Sequence, residues 1–196
     1  MSSDKEPAAR LEPPTETGAD VLVDLLIERW GVRHVFGYPG DGINGVMEAL
    51  RRRRDIVQFV QVRHEEAAAI GATGYAKFTG RLGVCLTTSG RGKIHLLKRL
   101  YDTESDQAPV LAITGLQYSD VTGTHFQQHF NTVRLMGDVA LYSGTVMQPA
   151  HIENITNLAV RYALANRGVS RVAIPIDVQE ATASSGRWTW SALPPC

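Results

Sequence analysis

The chain has 196 residues, of which 43% are hydrophobic, 20% charged and 18 glycine, a composition that fits one ordinary globular domain with a flexible end. Lys plus Arg and Asp plus Glu both number 20, so the overall balance offers no field for a nucleic acid or an anionic membrane, and such a partner would need a local patch. Cys85 inside an apolar run and Cys196 at the last position make neither a disulfide framework nor a metal-ligand spacing.

Residues 1–16, rich in Pro, charge and small polar side chains, carry no hydrophobic period and no apolar signal-peptide core, and read as a disordered tail. No later apolar run is long enough to span a bilayer, so a reducing, cytoplasmic setting is expected. From residue 17 amphipathic stretches alternate with short β-rich runs. A helix from Gly18 to Trp30, with Val21, Leu22, Leu25 and Leu26 on one face, precedes a strand at His34 to Gly37. A second helix near Ile43 to Arg53 leads to a strand at Ile56 to Val60, and a third from Glu65 to Phe78 leads to Leu82 to Thr87. A helix around Ile94 to Tyr101 leads to Pro109 to Ile113, an irregular stretch reaches a strand within Ala140 to Met147, and a helix from Ala150 to Ala165 precedes Val172 to Ile176. Six strands separated by helices predict a doubly wound α/β domain, its mostly parallel sheet covered on both faces, over residues 17–180. Residues 181–196, where Trp188 and Trp190 alternate without regular structure, read as a linker-like tail.

Ligands of open parallel sheets bind beyond the carboxyl ends of the strands, which selects the loops Tyr38-Pro39-Gly40, Arg63-His64-Glu65, Ser89-Gly90 and Gly115-Leu116-Gln117. Glu65 starts a helix whose Ala68, Ala69, Ala72 and Ala76 are small and lie on one side, leaving room for another element or a flat cofactor. By itself Glu65 reads as an exposed first-turn glutamate favoured by the helix dipole, as Glu66 does, and His64 either orients the loop or fills space.

The segments FGYPGDGINGVMEAL, RHEEAAAIGATGYAKFTGRLGVCLTTSG, IHLL, PVLAITGLQ, TGTHFQQ, PAHIENI and VAIPIDVQ, in this order and at these intervals, change that weighting. Together they resemble the pyrimidine-binding domain of thiamine-diphosphate enzymes in the acetolactate synthase and pyruvate oxidase group, closest to the pyruvate oxidase-like members. The resemblance implies that Glu65 hydrogen-bonds N1′ of the thiamine aminopyrimidine ring, favouring the tautomer whose 4′ nitrogen removes the thiazolium C2 proton. It places Tyr38, Pro39 and Gly40 by the pyrimidine, Ser89 and Gly90 in the cofactor-side turn, and Phe126 and Gln127 at the reacting end. A Pro-Gly turn, and a packed aromatic with a polar neighbour, are the alternatives for the first and last of these groups. The resemblance further implies that thiamine diphosphate lies between this domain and a diphosphate-binding domain that brings Mg2+, and that flavin belongs to a central domain absent from this chain.

Other signals carry less. Asn44 follows Gly40-Asp41-Gly42 too closely for the family's diphosphate and magnesium motif, so no metal ligand is assigned. Gly90-Arg91-Gly92-Lys93 lacks the glycine interval of a P-loop and has Ile94 after its Lys. Arg51 to Arg54 suit a helix end and stay solvated, and His125, His129 and His151 lack metal-ligand spacing. Arg91, Lys93, Lys98 and Arg99 depart from the Pro, Gly or Ala, Asn and Gly usual in related sequences, and buried long cations are costly unless paired. They put the usual homodimer packing in doubt. Three functions stay open: the pyrimidine half of a 2-oxo acid-processing enzyme, working as a homo- or hetero-oligomer with a diphosphate-binding partner; a non-catalytic module that binds a full-length relative; and a small-anion binder at Ser89 to Lys93.

Overall fold

A computed structural model of the chain describes residues 16–127 and 129–183. Most of both tails, including Trp188, Trp190 and Cys196, lies outside the described residues. The described edges of the tails pair with each other: Thr17 and Thr182 form an antiparallel bridge, and Ala183 N donates to Glu16 O at 2.8 Å.

Helix α1 spans Gly18–Glu28 and starts at a capping box, in which Asp20 N donates to Thr17 Oγ1 and Thr17 N donates to Asp20 Oδ2. Its buried stripe is Ala19, Leu22, Val23, Leu26 and Ile27, so Val21 and Leu25 sit at the margin of the face expected to be buried. The helix ends before Trp30 because Gly31 turns the chain with φ +64°, and the Trp30 indole donates to Asn157 Oδ1 at 2.9 Å. Strand β1 (His34–Gly37) follows, then a single 3-10 turn, α2 (Asn44–Arg52), β2 (Gln58–Gln61), α3 (Glu65–Thr79) and β3 (Gly83–Thr87). The second half comprises α4 (Arg91–Ser105), β4 (Val110–Leu116), α5 (Thr132–Met136), β5 (Ala140–Thr145), α6 (Ile152–Asn166), β6 (Val169–Pro175) and α7 (Ile176–Glu180).

The strands form one sheet in the order β2-β1-β3-β4-β6-β5, and every pair is parallel, so the mostly parallel sheet expected from sequence is wholly so. Each strand is joined to the next through a helix, which forces the crossovers and covers both faces. Successive residues alternate between those faces. Leu111 and Ile113 of β4 with Val172 and Ile174 of β6 enter the core shared with α1, α2 and α6, whereas Val110, Ala112 and Val169 enter the core under α3 and α4.

Two boundaries differ from the expected ones for reasons visible in the chain. Strand β6 begins at Val169 rather than Val172, since Ser170 and Arg171 interrupt its apolar run although both are fully buried. Helix α4 begins at Arg91 rather than Ile94: Gly90, with φ +68°, turns the chain, and Gly92 with its cationic neighbours hides the helical pattern. The small residues of α3 admit the protein's own sheet. A side chain at Gly71 would strike the Phe36 ring, and one at Gly83 would strike Ala72 O, so α3 lies directly on β1 and β3. The tetra-arginine run is less solvated than expected. Arg52 pairs with buried Asp20 at 2.8 Å and Arg53 grips Asp24 with two bonds, joining the end of α2 to α1.

Candidate functional site

The order of connections reverses between β1 and β3, where a doubly wound sheet opens its binding crevice. Here the two flanking loops close against each other. Gly42 N donates to Thr88 Oγ1 at 3.0 Å, a side chain at Gly40 would lie 2.5 Å from Thr88 Cβ, and one at Gly42 would strike Ser89. Gln117 Nε2 donates to the buried Ser89 Oγ at 3.0 Å, and Gln179 of α7 donates to Gly42 O and Ile174 O. The loops at residues 38–42, 88–90 and 115–117 are therefore fixed as one rim. Asp41 accepts from the backbone N of Gly42, a local turn contact.

Beside that rim the first turns of α3 and α4 meet around Glu65. Its residue is 7% exposed, unlike an ordinary first-turn glutamate, and Glu65 Oε2 lies 3.0 Å from His95 Nδ1. The other oxygen, Oε1, makes no hydrogen bond among the described residues. Gly92 is what permits the approach: a Cβ there would stand 2.8 Å from Glu65 Oε1 and 2.3 Å from Thr87 Oγ1. Thr87 Oγ1 is itself buried without a hydrogen-bond partner among the described residues. His64 caps α3, its Nδ1 accepting from Glu66 N at 3.3 Å, and its ring stacks on His95 with centroids 4.6 Å apart. Of the two sequence readings of His64, orientation of the loop is the one this geometry fits.

A buried carboxyl at the carboxyl rim, with one oxygen held by an imidazole and the other unbonded, can accept or share a proton with a flat polar ligand. Residues 16–135 match the family described as thiamine pyrophosphate enzyme, N-terminal TPP binding domain. The chain belongs to this family. It is 40% identical over 163 residues to the putative thiamine pyrophosphate-containing protein YdaP of Bacillus subtilis, covering 83% of this chain and 28% of that protein. It is 39% identical to the pyruvate oxidase of Lactiplantibacillus plantarum (89% of this chain, 29% of the relative) and 37% identical to the acetolactate synthase of Arthrospira platensis (84% and 29%). The chain thus spans less than a third of each of these relatives.

Within this thiamine pyrophosphate-binding fold, the other residues expected at the site are distributed unevenly. Pro39 and Gly40 are half-buried on the rim beside exposed Tyr38, while Ser89 and Gly90 are buried in the turn before α4. Phe126 and Gln127 are exposed in the loop before α5.

The cations of α4, grouped together by sequence, separate into three environments. Arg91 is exposed. Lys98 Nζ pairs with Glu66 Oε1 at 3.0 Å and Arg99 reaches both Glu66 and Asp102, and the Lys98 hydrogen bond holds the Glu66 carboxyl below its usual range. Glu66 is therefore an anchor between α3 and α4 rather than a free helix-end charge. Lys93 is 3% exposed, with Nζ 3.4 Å from Thr132 Oγ1 and 5.5 Å from the Phe130 ring centre. No acid pairs with it among the described residues, and desolvation, helped by Arg171, pushes its amine down to about 7. Arg171 is also buried and is met by hydroxyls, donating to Thr114 Oγ1 at 3.0 Å and Ser143 Oγ at 2.8 Å. Sequence reading missed His95 and Arg171. With α4 begun at Arg91, His95, Lys98 and Arg99 fall on one helical side facing Glu65 and Glu66, which is the signal that was available.

Proposed function

We propose that the chain supplies the pyrimidine-binding half of a thiamine-diphosphate site acting on pyruvate or another 2-oxo acid. The observation that carries this is the seating of Glu65: buried, at the start of a helix, on the carboxyl rim, with Oε1 close to Gly92 and without a hydrogen bond among the described residues. Those are the properties a carboxyl needs to bond a ring nitrogen in a site sheltered from water. When bound, thiamine diphosphate supplies a carbon nucleophile for the 2-oxo group.

This chain's part is positional and protonic. Glu65 Oε1 holds the proton shared with the pyrimidine ring, and His95 Nδ1 fixes the orientation of the carboxyl through Oε2. Tyr38, Pro39, Gly40, Ser89 and Gly90 form the adjoining wall, and Phe126 with Gln127 belongs to the substrate side. Mg2+ and the diphosphate are held by a diphosphate-binding domain outside these residues, and no flavin contact is assigned to this chain. The working form is an oligomer in the cytoplasm, with a diphosphate-binding partner or a full-length relative opposite α3 and α4.

Mixing the chain with a diphosphate-binding domain of the pyruvate oxidase relative, Mg2+ and thiamine diphosphate should give 2-oxo acid turnover. Glu65→Gln should abolish it without changing the circular dichroism. Full activity of that variant in the mixture would show the role to be misassigned.

A non-catalytic module is the second reading, favoured by one feature: His95 already occupies one oxygen of Glu65, and Lys98 and Arg99 lock α4 to α3 beside it. On that reading the chain binds a relative with no thiamine-dependent turnover. Charge reversal at Arg91 should then weaken the association.

A further inference from the structure

We infer that His64, Glu65 and His95 form a site for a first-row transition-metal ion, with zinc(II) the best match. The residues come from the cap and first turn of α3 and from α4 one turn past its start, and each offers one ligand atom, all within 4.8 Å of one another. Two imidazoles and one carboxylate make a borderline-soft donor set, suited to zinc and poorly suited to Mg2+, which favours oxygen ligands.

An ion bound at about 2.1 Å from each ligand in tetrahedral geometry holds its ligand atoms about 3.4 Å apart, so the widest separation has to contract by up to about 1.4 Å. The side chains can make that movement. His64 is exposed and the His95 side chain is 44% exposed, while buried Glu65 is the fixed point. His95 Nδ1 already lies 3.0 Å from Glu65 Oε2, and the His64 ring stacks on His95 at 25°, so rotation of exposed His64 brings its nitrogen toward the carboxylate. Solvent on the His64 side leaves the remaining coordination position to water. Three compatible donors from two helices packed together do not depend on the thiamine assignment. If that assignment also holds, a metal ion and a pyrimidine ring compete for Glu65, and zinc acts as an inhibitor of cofactor binding.

Isothermal titration of the untagged full chain with ZnCl2, without thiamine diphosphate, tests the site. Saturable binding of a single equivalent is expected, weakened by roughly tenfold or more in His64→Ala and in His95→Asn and unaffected in a His129→Ala, His151→Ala double variant. MgCl2 should give no comparable binding. Circular dichroism of each variant separates loss of ligand from loss of fold. Absence of saturable zinc binding overturns the site, as does binding that survives His64→Ala with His95→Asn, follows His129 and His151 instead, or is matched by Mg2+. Because no cofactor is present, failure here leaves the pyrimidine reading to its own test.

Discussion

The two faces of the sheet bury charge in different ways. Under α1, α2 and α6, Asp20, the one buried acid there among the described residues, is gripped by Arg52, and the buried amides of Asn157 and Gln179 bond to Trp30 and to backbone groups. Under α3 and α4, Lys93 and Arg171 are buried with hydroxyls and an aromatic ring for company and with no acid among the described residues. The first arrangement pairs its buried charge, although Asp20 Oδ1 and Asn157 Nδ2 stay without a hydrogen-bond partner among the described residues. The second leaves charge without a counter-charge, on the face that also buries the Glu65 carboxyl.

Substitutions on the two faces should separate them. The largest effect belongs to the apolar face: Leu22→Ala, at a fully buried position, should cost about 3 kcal/mol in urea unfolding, equally at all pH values where the protein folds. Lys93→Met on the opposite face should raise stability by about 2 kcal/mol at neutral pH, because it removes a desolvated cation and keeps the volume. The pH dependence follows from the same group. The unfolded lysine keeps its proton up to about 10.5, whereas the folded one releases it near 7, so between these values the unfolded chain binds more protons and stability rises with pH. Its steepest contribution is about 1.4 kcal/mol per pH unit, and below pH 7 the contribution is flat. The advantage of Lys93→Met in urea midpoint should therefore shrink above pH 7 and reverse before pH 10; a constant difference would mean Lys93 is not desolvated.

Two glycines on neighbouring helices sharpen the same contrast. Gly92→Ala drives a methyl into Thr87 and Glu65 and should cost about 1.5 kcal/mol in thermal unfolding. Gly74→Ala in α3 meets nothing within 4 Å and should instead stabilise by about 0.8 kcal/mol, the helix-propensity gain. If both had the same sign, close packing at Gly92 would not be what holds Glu65 in place.

Much of this was readable along the chain because it is local. The alternation of strand and helix, the start of α3 at Glu65 and its small-residue side follow from spacing alone. The start of α4 was hidden because Gly92 and Lys93 look like loop residues until Gly90 is known to turn the chain beforehand. Burial of Arg171 was hidden for a different reason. It depends on β6 being inserted between β4 and β5, which brings Thr114 and Ser143 to the guanidinium from positions distant in sequence. The Glu65 to His95 contact likewise needs α3 and α4 to be neighbours on one face, a tertiary fact.

The central claim, that Glu65 Oε1 bonds the thiamine pyrimidine ring, is tested most directly by calorimetric titration of thiamine diphosphate and Mg2+ into the chain mixed with a diphosphate-binding domain, comparing native Glu65 with Glu65→Gln. Binding is expected for the native chain, with a loss of about tenfold or more, some 1.4 kcal/mol, in the variant. Equal affinities would contradict it.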